Sequence, residues 1–224
     1  MSALFVTATG TEIGKTFITA ALVRYLRRQG RVARAIKPVV SGFDDVTSPV
    51  SDPAVLARAM AQAPTDGTLA EISPWRFAAP LSPDMAARRE GRAVDFGALV
   101  RHCRREIAAA GEDPLLIEGV GGAMVPLTGH ETVLDWMAAL RVPVLLVAGS
   151  YLGTISHTLT TLGVLRTAGL EVRAIVLNET PGSTVPLEET RETVSRFADD
   201  IPALTLARQG QPADLDAIAA ALCL

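Results

Sequence analysis

Short apolar runs separated by longer mixed stretches recur along the chain. Ala3-Leu4-Phe5-Val6-Thr7 is the first, and Val32–Lys37, Leu115–Glu118, Val142–Val147, Val172–Leu177 and Ala203–Leu206 are of the same kind. None alternates cleanly between apolar and polar residues, as expected of strands covered on both faces of a parallel sheet. The intervening stretches Thr16–Gln29, Asp52–Ala61, Phe96–Ala109, Val133–Leu140, Thr154–Ala168 and Leu187–Ala198 read as helices. Gly30, Gly111 and Gly169 stand just past three of them, where a terminating glycine belongs. This alternation predicts an α/β fold: a doubly wound, mostly parallel sheet with helices on both faces, in one domain over residues 1–224. Only Ser41–Pro83, rich in Pro, Asp, Ser and Thr, breaks the rhythm. It reads as a long irregular segment beside a binding site, and in open α/β sheets that site lies beyond the carboxyl ends of the strands.

Composition narrows the function. Hydrophobic residues make up 49% of the chain, enough for one sizeable core. A formal net charge of −3 argues against a broad grip on nucleic acid. The arginine clusters Arg24/Arg27/Arg28 and Arg101/Arg104/Arg105 have helical spacing and read as solvated faces. Cys103 and Cys223 are the only cysteines, too few for a disulfide framework or a Cys/His metal site, which suits a reducing compartment. His102, His130 and His157 are scattered without ligand spacing, and Gly149–Gly153 lacks the spacing of a nucleophile elbow. The first strand leaves no room for a signal peptide, and no apolar run approaches the roughly 20 residues of a membrane span. The expectation is a cytoplasmic protein with neither membrane nor nucleic-acid partner.

The first strand runs into Ala8-Thr9-Gly10-Thr11-Glu12-Ile13-Gly14-Lys15-Thr16 and then into Phe17-Ile18-Thr19. A strand, a small-residue loop and a helix opening at Gly-Lys-Thr form the layout of a phosphate-binding P-loop. Backbone N–H groups and the helix N-terminus face one point there. Lys15 would reach the outer phosphates and the Thr16 hydroxyl would hold Mg²⁺. The bland alternative is a polar turn that only caps a helix. The glycine that usually opens such a loop is replaced by Ala8 or Thr9, and Gly10 is expected to supply the unusual backbone angle.

Lys37-Pro38-Val39-Val40-Ser41-Gly42 closes the second strand and would point an ammonium into the same crevice, unless Lys37 is a plain surface residue. The chain has 21 basic residues, of which only Lys15 and Lys37 are lysines. Where arginine is the default surface cation, two isolated lysines suit compact point charges on phosphate. Glu118 ends a buried strand before the turn Gly119-Val120-Gly121-Gly122, as an acid that orients Mg²⁺ would, or as a strand-end Glu in solvent. Asp52, between Ser51 and Pro53, reads from its neighbours as a helix N-cap.

Together these segments resemble the dethiobiotin synthetases. Matching stretches run from Phe5-Val6-Thr7 through Glu12–Thr16, Lys37–Gly42, Ser51-Asp52, Pro80-Leu81-Ser82-Pro83 and Glu118–Gly122. They continue through Pro126-Leu127, Asp135-Trp136, Tyr151–Thr158 and Val176-Leu177-Asn178-Glu179. The resemblance implies an ATP-dependent ligase that closes the ureido ring of dethiobiotin from 7,8-diaminononanoate and CO₂, with Mg²⁺ as cofactor. It implies a homodimer with substrate at the subunit interface. By position, Thr16, Asp52 and Glu118 would hold Mg²⁺, which sets the resemblance against the capping reading of Asp52. Glu12, Ile13, Gly14, Lys15, Thr16 and Phe17 would bind nucleotide, with Asp52, Glu118, Gly119, Val120, Gly121, Asn178 and Glu179. Asn178 would contact adenine. Lys37 would be catalytic together with Lys15, and Thr11, Ser41, Leu152, Gly153 and Thr154 would bind substrate, the last three serving the partner subunit. Ala8 and Gly10 replace the Gly and Asp common in the family's loop, Ser156 stands where an Asn is frequent, and Leu204–Gly210 departs from the family's base-binding loop. The rival is a P-loop ATPase acting as a nucleotide-driven dimer switch. Such proteins carry a lysine five residues before the Gly-Lys-Thr lysine, where this chain has Gly10. A scaffold that binds ATP only for regulation is the other rival, and it gives no reason for Lys37, Ser41 and Glu118 to converge.

Overall fold

Among the described residues six strands form one all-parallel sheet, and Thr7 and Glu118 are the only buried polar side chains of its three central strands. The computed structural model describes residues 3–44, 48–208 and 212–224. The sheet contains β1 (Ala3–Ala8), β2 (Arg34–Ile36), β5 (Leu115–Glu118), β6 (Val144–Gly149), β7 (Val172–Asn178) and β8 (Ala203–Leu206), in the order β2-β5-β1-β6-β7-β8. Side chains alternate between two separate cores. From β1, Leu4, Val6 and Ala8 enter one core and Phe5 enters the other; from β6, Leu145 and Val147 part from Val144 and Leu146 in the same way. That is why no alternation shows in the sequence: both faces are covered.

One face is covered by α1 (Lys15–Arg28), α2 (Asp52–Ala59) and α9 (Pro212–Leu222), through Ile18, Leu22, Leu26, Leu56, Ile218 and Leu222. The other is covered by α5 (Phe96–Ala110), α6 (Val133–Leu140), α7 (Thr154–Thr167) and α8 (Leu187–Ser195), through Leu99, Trp136, Leu162 and Val194. Trp136 meets Phe5 edge-to-face at 4.8 Å between ring centroids, a favourable aromatic geometry. Gly30, Gly111 and Gly169 follow α1, α5 and α7 with φ of 77°, 59° and 68°, as their placement predicted.

The described residues of the segment Ser41–Pro83 are not one irregular stretch. It contains a 3₁₀ turn (Ser48–Val50), α2, α3 (Asp66–Ile72) and β4 (Trp75–Phe77). β4 pairs in parallel with β3 (Val39–Ser41) to make a second, two-stranded sheet. Three-residue strands are too short to show a period, and α3 spans under two turns, so neither leaves a readable pattern. Pro38 separates β2 from β3, so the second strand ends at Ile36, one residue short of Lys37. The free edge of β4 is closed by side chains: Glu90 accepts from the Ala78 N–H at 2.7 Å and Arg92 donates to the Arg76 carbonyl at 2.9 Å. A helix α4 (Pro83–Arg89), begun by Pro83, and the alanine-rich α9 were also unreadable as separate elements.

Candidate active site

The site is built where β1 and β5 end. β1 stops at Ala8 and the chain loops to Gly14, the N-cap of α1, whose φ of 100° and ψ of 21° put it in the left-handed region. No side chain caps this helix, so its first N–H groups remain available to an anion. The other left-handed residue of the loop is Glu12, at φ 59°. Gly10 does not supply the unusual angle expected of it. What is tight nearby is Gly122, where an added Cβ would lie 3.3 Å from the backbone of Thr9 and Gly10. Lys15, 6% exposed, donates from Nζ to the carbonyls of Gly10 (3.0 Å) and Gly121 (2.6 Å). Burial, assisted by the Lys37 charge, lowers its pKa to about 8.

Lys37 is 4% exposed and Glu118 is fully buried. The Lys37 ammonium donates to Asp52 and, at 2.8 Å, to Glu118 Oε1. That same Oε1 accepts from the Thr16 hydroxyl at 2.5 Å. Burial opposes the Lys37 charge, but Glu118 and Asp52 more than reverse this and push its pKa up to about 12. Burial likewise disfavours the Asp52 carboxylate, and the Lys37 ammonium outweighs it, holding that carboxyl below its ordinary range. Lys37 is therefore no surface lysine and Glu118 no solvated strand end. Asp52 is not the N-cap its neighbours suggest either. Ser51 holds that position, Asp52 is the first helical residue, and its carboxylate is turned onto Lys37. A local capping rule cannot anticipate a cation arriving from the connection between β2 and β3.

Thr16, Asp52 and Glu118 thus present a hydroxyl and two carboxylates around one point. Glu118 Oε2 is buried without a hydrogen-bond partner among the described residues. Hard oxygen donors with one coordination-ready orphan fit Mg²⁺, which takes one or two carboxylates and completes its shell with phosphate and water. A cleft of about 710 Å³ opens above them, the size of a small-molecule site. Its walls include Thr11, Glu12, Gly14, Lys15, Thr16, Phe17, Lys37, Ser41, Asp52, Val120 and Gly121. The Ser41 hydroxyl is buried without a partner among the described residues. Val40, Gly42, Pro80–Pro83 and Val125 also line the cleft. Pro80–Pro83 matched the family by sequence yet carried no role, and apolar wall residues such as Val125 give no chemical signal.

The remaining predicted residues lie elsewhere. Gly119 packs behind the cleft, where a Cβ would come 2.9 Å from the Phe5 ring. Ile13 faces β7 through its carbonyl, which accepts from Asn178 Nδ2 at 3.0 Å. Glu179 accepts the Arg208 N–H at 2.8 Å, next to residues 209 and 210, the part of the base-loop segment that lies outside the described residues. Leu152, 92% exposed, and Gly153, the left-handed N-cap of α7, are not on the walls of this chain's own cleft. Thr154 is buried and donates to the Gly149 carbonyl at 2.7 Å.

A parallel sheet in this order, with a glycine-lysine-threonine loop entering α1 and a lysine–carboxylate cluster beneath it, defines a P-loop nucleotide-binding protein. A family profile described as an AAA domain matches residues 2–206. The MinD cell division protein of Aquifex aeolicus shares the fold, with a TM-score of 0.54 at 12% identity over 96% of this chain and 86% of that one. The ATP-dependent dethiobiotin synthetase BioD of Methylobacterium nodulans is 51% identical over 94% of this chain and 95% of its own length. That of Acidiphilium cryptum is 49% identical over 90% and 95%. The chain belongs to the ATP-dependent dethiobiotin synthetase family.

Proposed function

We infer that this chain is an ATP- and Mg²⁺-dependent ligase that makes dethiobiotin from 7,8-diaminononanoate and CO₂. The observation that carries the reading is the convergence of Lys37, Asp52 and Thr16 on the buried Glu118 under the phosphate loop, the first three lining one cleft with Ser41, whose hydroxyl has no partner among the described residues. Thr16, Asp52 and Glu118 would hold Mg²⁺, which when bound neutralises charge on the nucleotide's outer phosphates.

In the proposed sequence, one substrate amine adds to CO₂ and loses a proton, giving a carbamate. A carbamate oxygen then takes the γ-phosphoryl group of ATP as the bond to ADP breaks. The second amine attacks the carbonyl carbon of this mixed anhydride, loses a proton and expels inorganic phosphate, closing the ring. Phosphoryl transfer needs positioning and charge neutralisation more than a protein nucleophile. Lys15 and Lys37 provide both. Lys15 stands against the loop that would hold the phosphates, and Lys37 is kept charged and aimed by two carboxylates. Ser41 would orient the diamine side.

The chain is proposed to act as one domain and as a cytoplasmic homodimer, with Leu152 to Thr154 contributing to the partner's substrate site. The exposed apolar Leu152 supports this, and among the described residues no helix is long and apolar enough to cross a membrane. The test is ADP release with diamine and bicarbonate supplied singly and together, with dethiobiotin identified by mass. Release that requires both supports the ligase. Hydrolysis indifferent to them and stimulated by a protein partner supports the switch, and no turnover at all supports the scaffold.

A further inference from the structure

Asn178 ends β7 with its backbone fixed on both sides, opposite Gly149 of β6 and Leu206 of β8. From this rigid position its side chain reaches the phosphate loop, donating from Nδ2 to the Ile13 carbonyl at 3.0 Å. The same amide nitrogen would lie 2.2 Å from a Cβ placed on Gly14. Asn178 therefore fills the space that only a glycine at position 14 leaves open.

The consequence follows from the peptide bond. The Ile13 carbonyl and the Gly14 N–H belong to one planar trans unit and point in opposite directions. Holding the oxygen towards β7 turns the N–H away from β7. Gly14 also lines the cleft and opens α1. Glycine tolerates both signs of φ, so rotation of this peptide plane meets little intrinsic resistance. Something outside the loop has to choose the orientation.

We propose that Asn178 is a positioning residue for phosphate binding: its amide pins the Ile13–Gly14 peptide so that the Gly14 N–H is presented to the outer phosphates. This rests on the reading of Glu12 to Phe17 as the phosphate loop. It differs from the adenine contact that the family resemblance implies, because it concerns a ligand without a base. The probe is inorganic tripolyphosphate, tested as a competitor of ATP against wild-type protein, Asn178→Ala and the shape-preserving Asn178→Leu. Both variants lose the donor without adding charge, and circular dichroism selects those that fold. The expected result is tripolyphosphate inhibition weakened about tenfold in either variant, the low end for one charge-assisted hydrogen bond. The KM for ATP rises in parallel and kcat at saturating ATP changes less. A folded variant with unchanged tripolyphosphate inhibition overturns the proposal, whatever happens to base preference. Wild-type protein that ignores tripolyphosphate overturns the phosphate-loop reading and this proposal with it.

Discussion

Replacing Lys37 with alanine removes an ammonium that touches both carboxylates of the site. Two separate losses are expected. The first is catalytic: deleting one preorganised electrostatic contact of this kind lowers turnover by about 10²–10³. The second is structural, since Glu118 is fully buried and its Oε2 already lacks a partner. Breaking a buried ion pair from one side costs about 3–5 kcal/mol. The low end applies here, because the Thr16 hydroxyl still reaches Oε1 at 2.5 Å and the Asp52 side chain is 43% exposed to water. About 3 kcal/mol in a chain of this size lowers Tm by roughly 6–12 °C. The assays are steady-state ADP release with saturating ATP, Mg²⁺, diamine and bicarbonate, and thermal unfolding of the same sample. Adding Glu118→Gln removes the stranded charge, so the double variant should regain stability without regaining turnover. Near-normal turnover by folded Lys37→Ala refutes the assignment of Lys37. A double variant no more stable than Lys37→Ala refutes the buried-charge argument.

Three further outcomes are expected. A thiol reagent should label one cysteine quickly and the other only on unfolding: Cys223 is exposed, whereas Cys103 is buried and burial pushes its thiol up to about 12; Cys223→Ser should abolish the fast phase. Asp135 accepts from the backbone and hydroxyl of Thr132 at the start of α6, which holds its carboxyl below the ordinary value of 3.8. A depressed carboxyl stabilises the fold above that value and loses the effect as pH falls below it, so Asp135→Asn should flatten the acid limb of a Tm–pH profile. Leu152→Asp should convert the proposed dimer to monomer in sedimentation and weaken diamine use, while thermal unfolding of the monomer shows an intact fold.

How much of this was legible depended on how local each cause is. The phosphate loop was readable because loop, lysine and helix start are adjacent in sequence, and β5 was bounded to the residue by its own apolar run. Lys37 stood out through rarity rather than pattern. The small sheet of β3 and β4 was invisible, because its stability comes from pairing Val39 with Trp75 across 36 residues and from Glu90 and Arg92 closing its edge. Asp52 shows the limit most clearly: its neighbours describe a helix cap, and its partner Lys37 lies 15 positions away, between β2 and β3.

By itself the sequence determined the doubly wound architecture, since unbroken apolar runs become stable strands only when covered on both faces. It also determined the chemical types at the ends of β1, β2 and β5. Only the tertiary structure decided which of those groups meet. One oxygen of Glu118 is shared between Lys37 and Thr16, and Asn178 reaches the phosphate loop across 165 positions. The physical reason is range: burial patterns and backbone preferences act over a few residues, whereas a charge or hydrogen bond is satisfied by whichever partner the folded sheet brings within 3 Å.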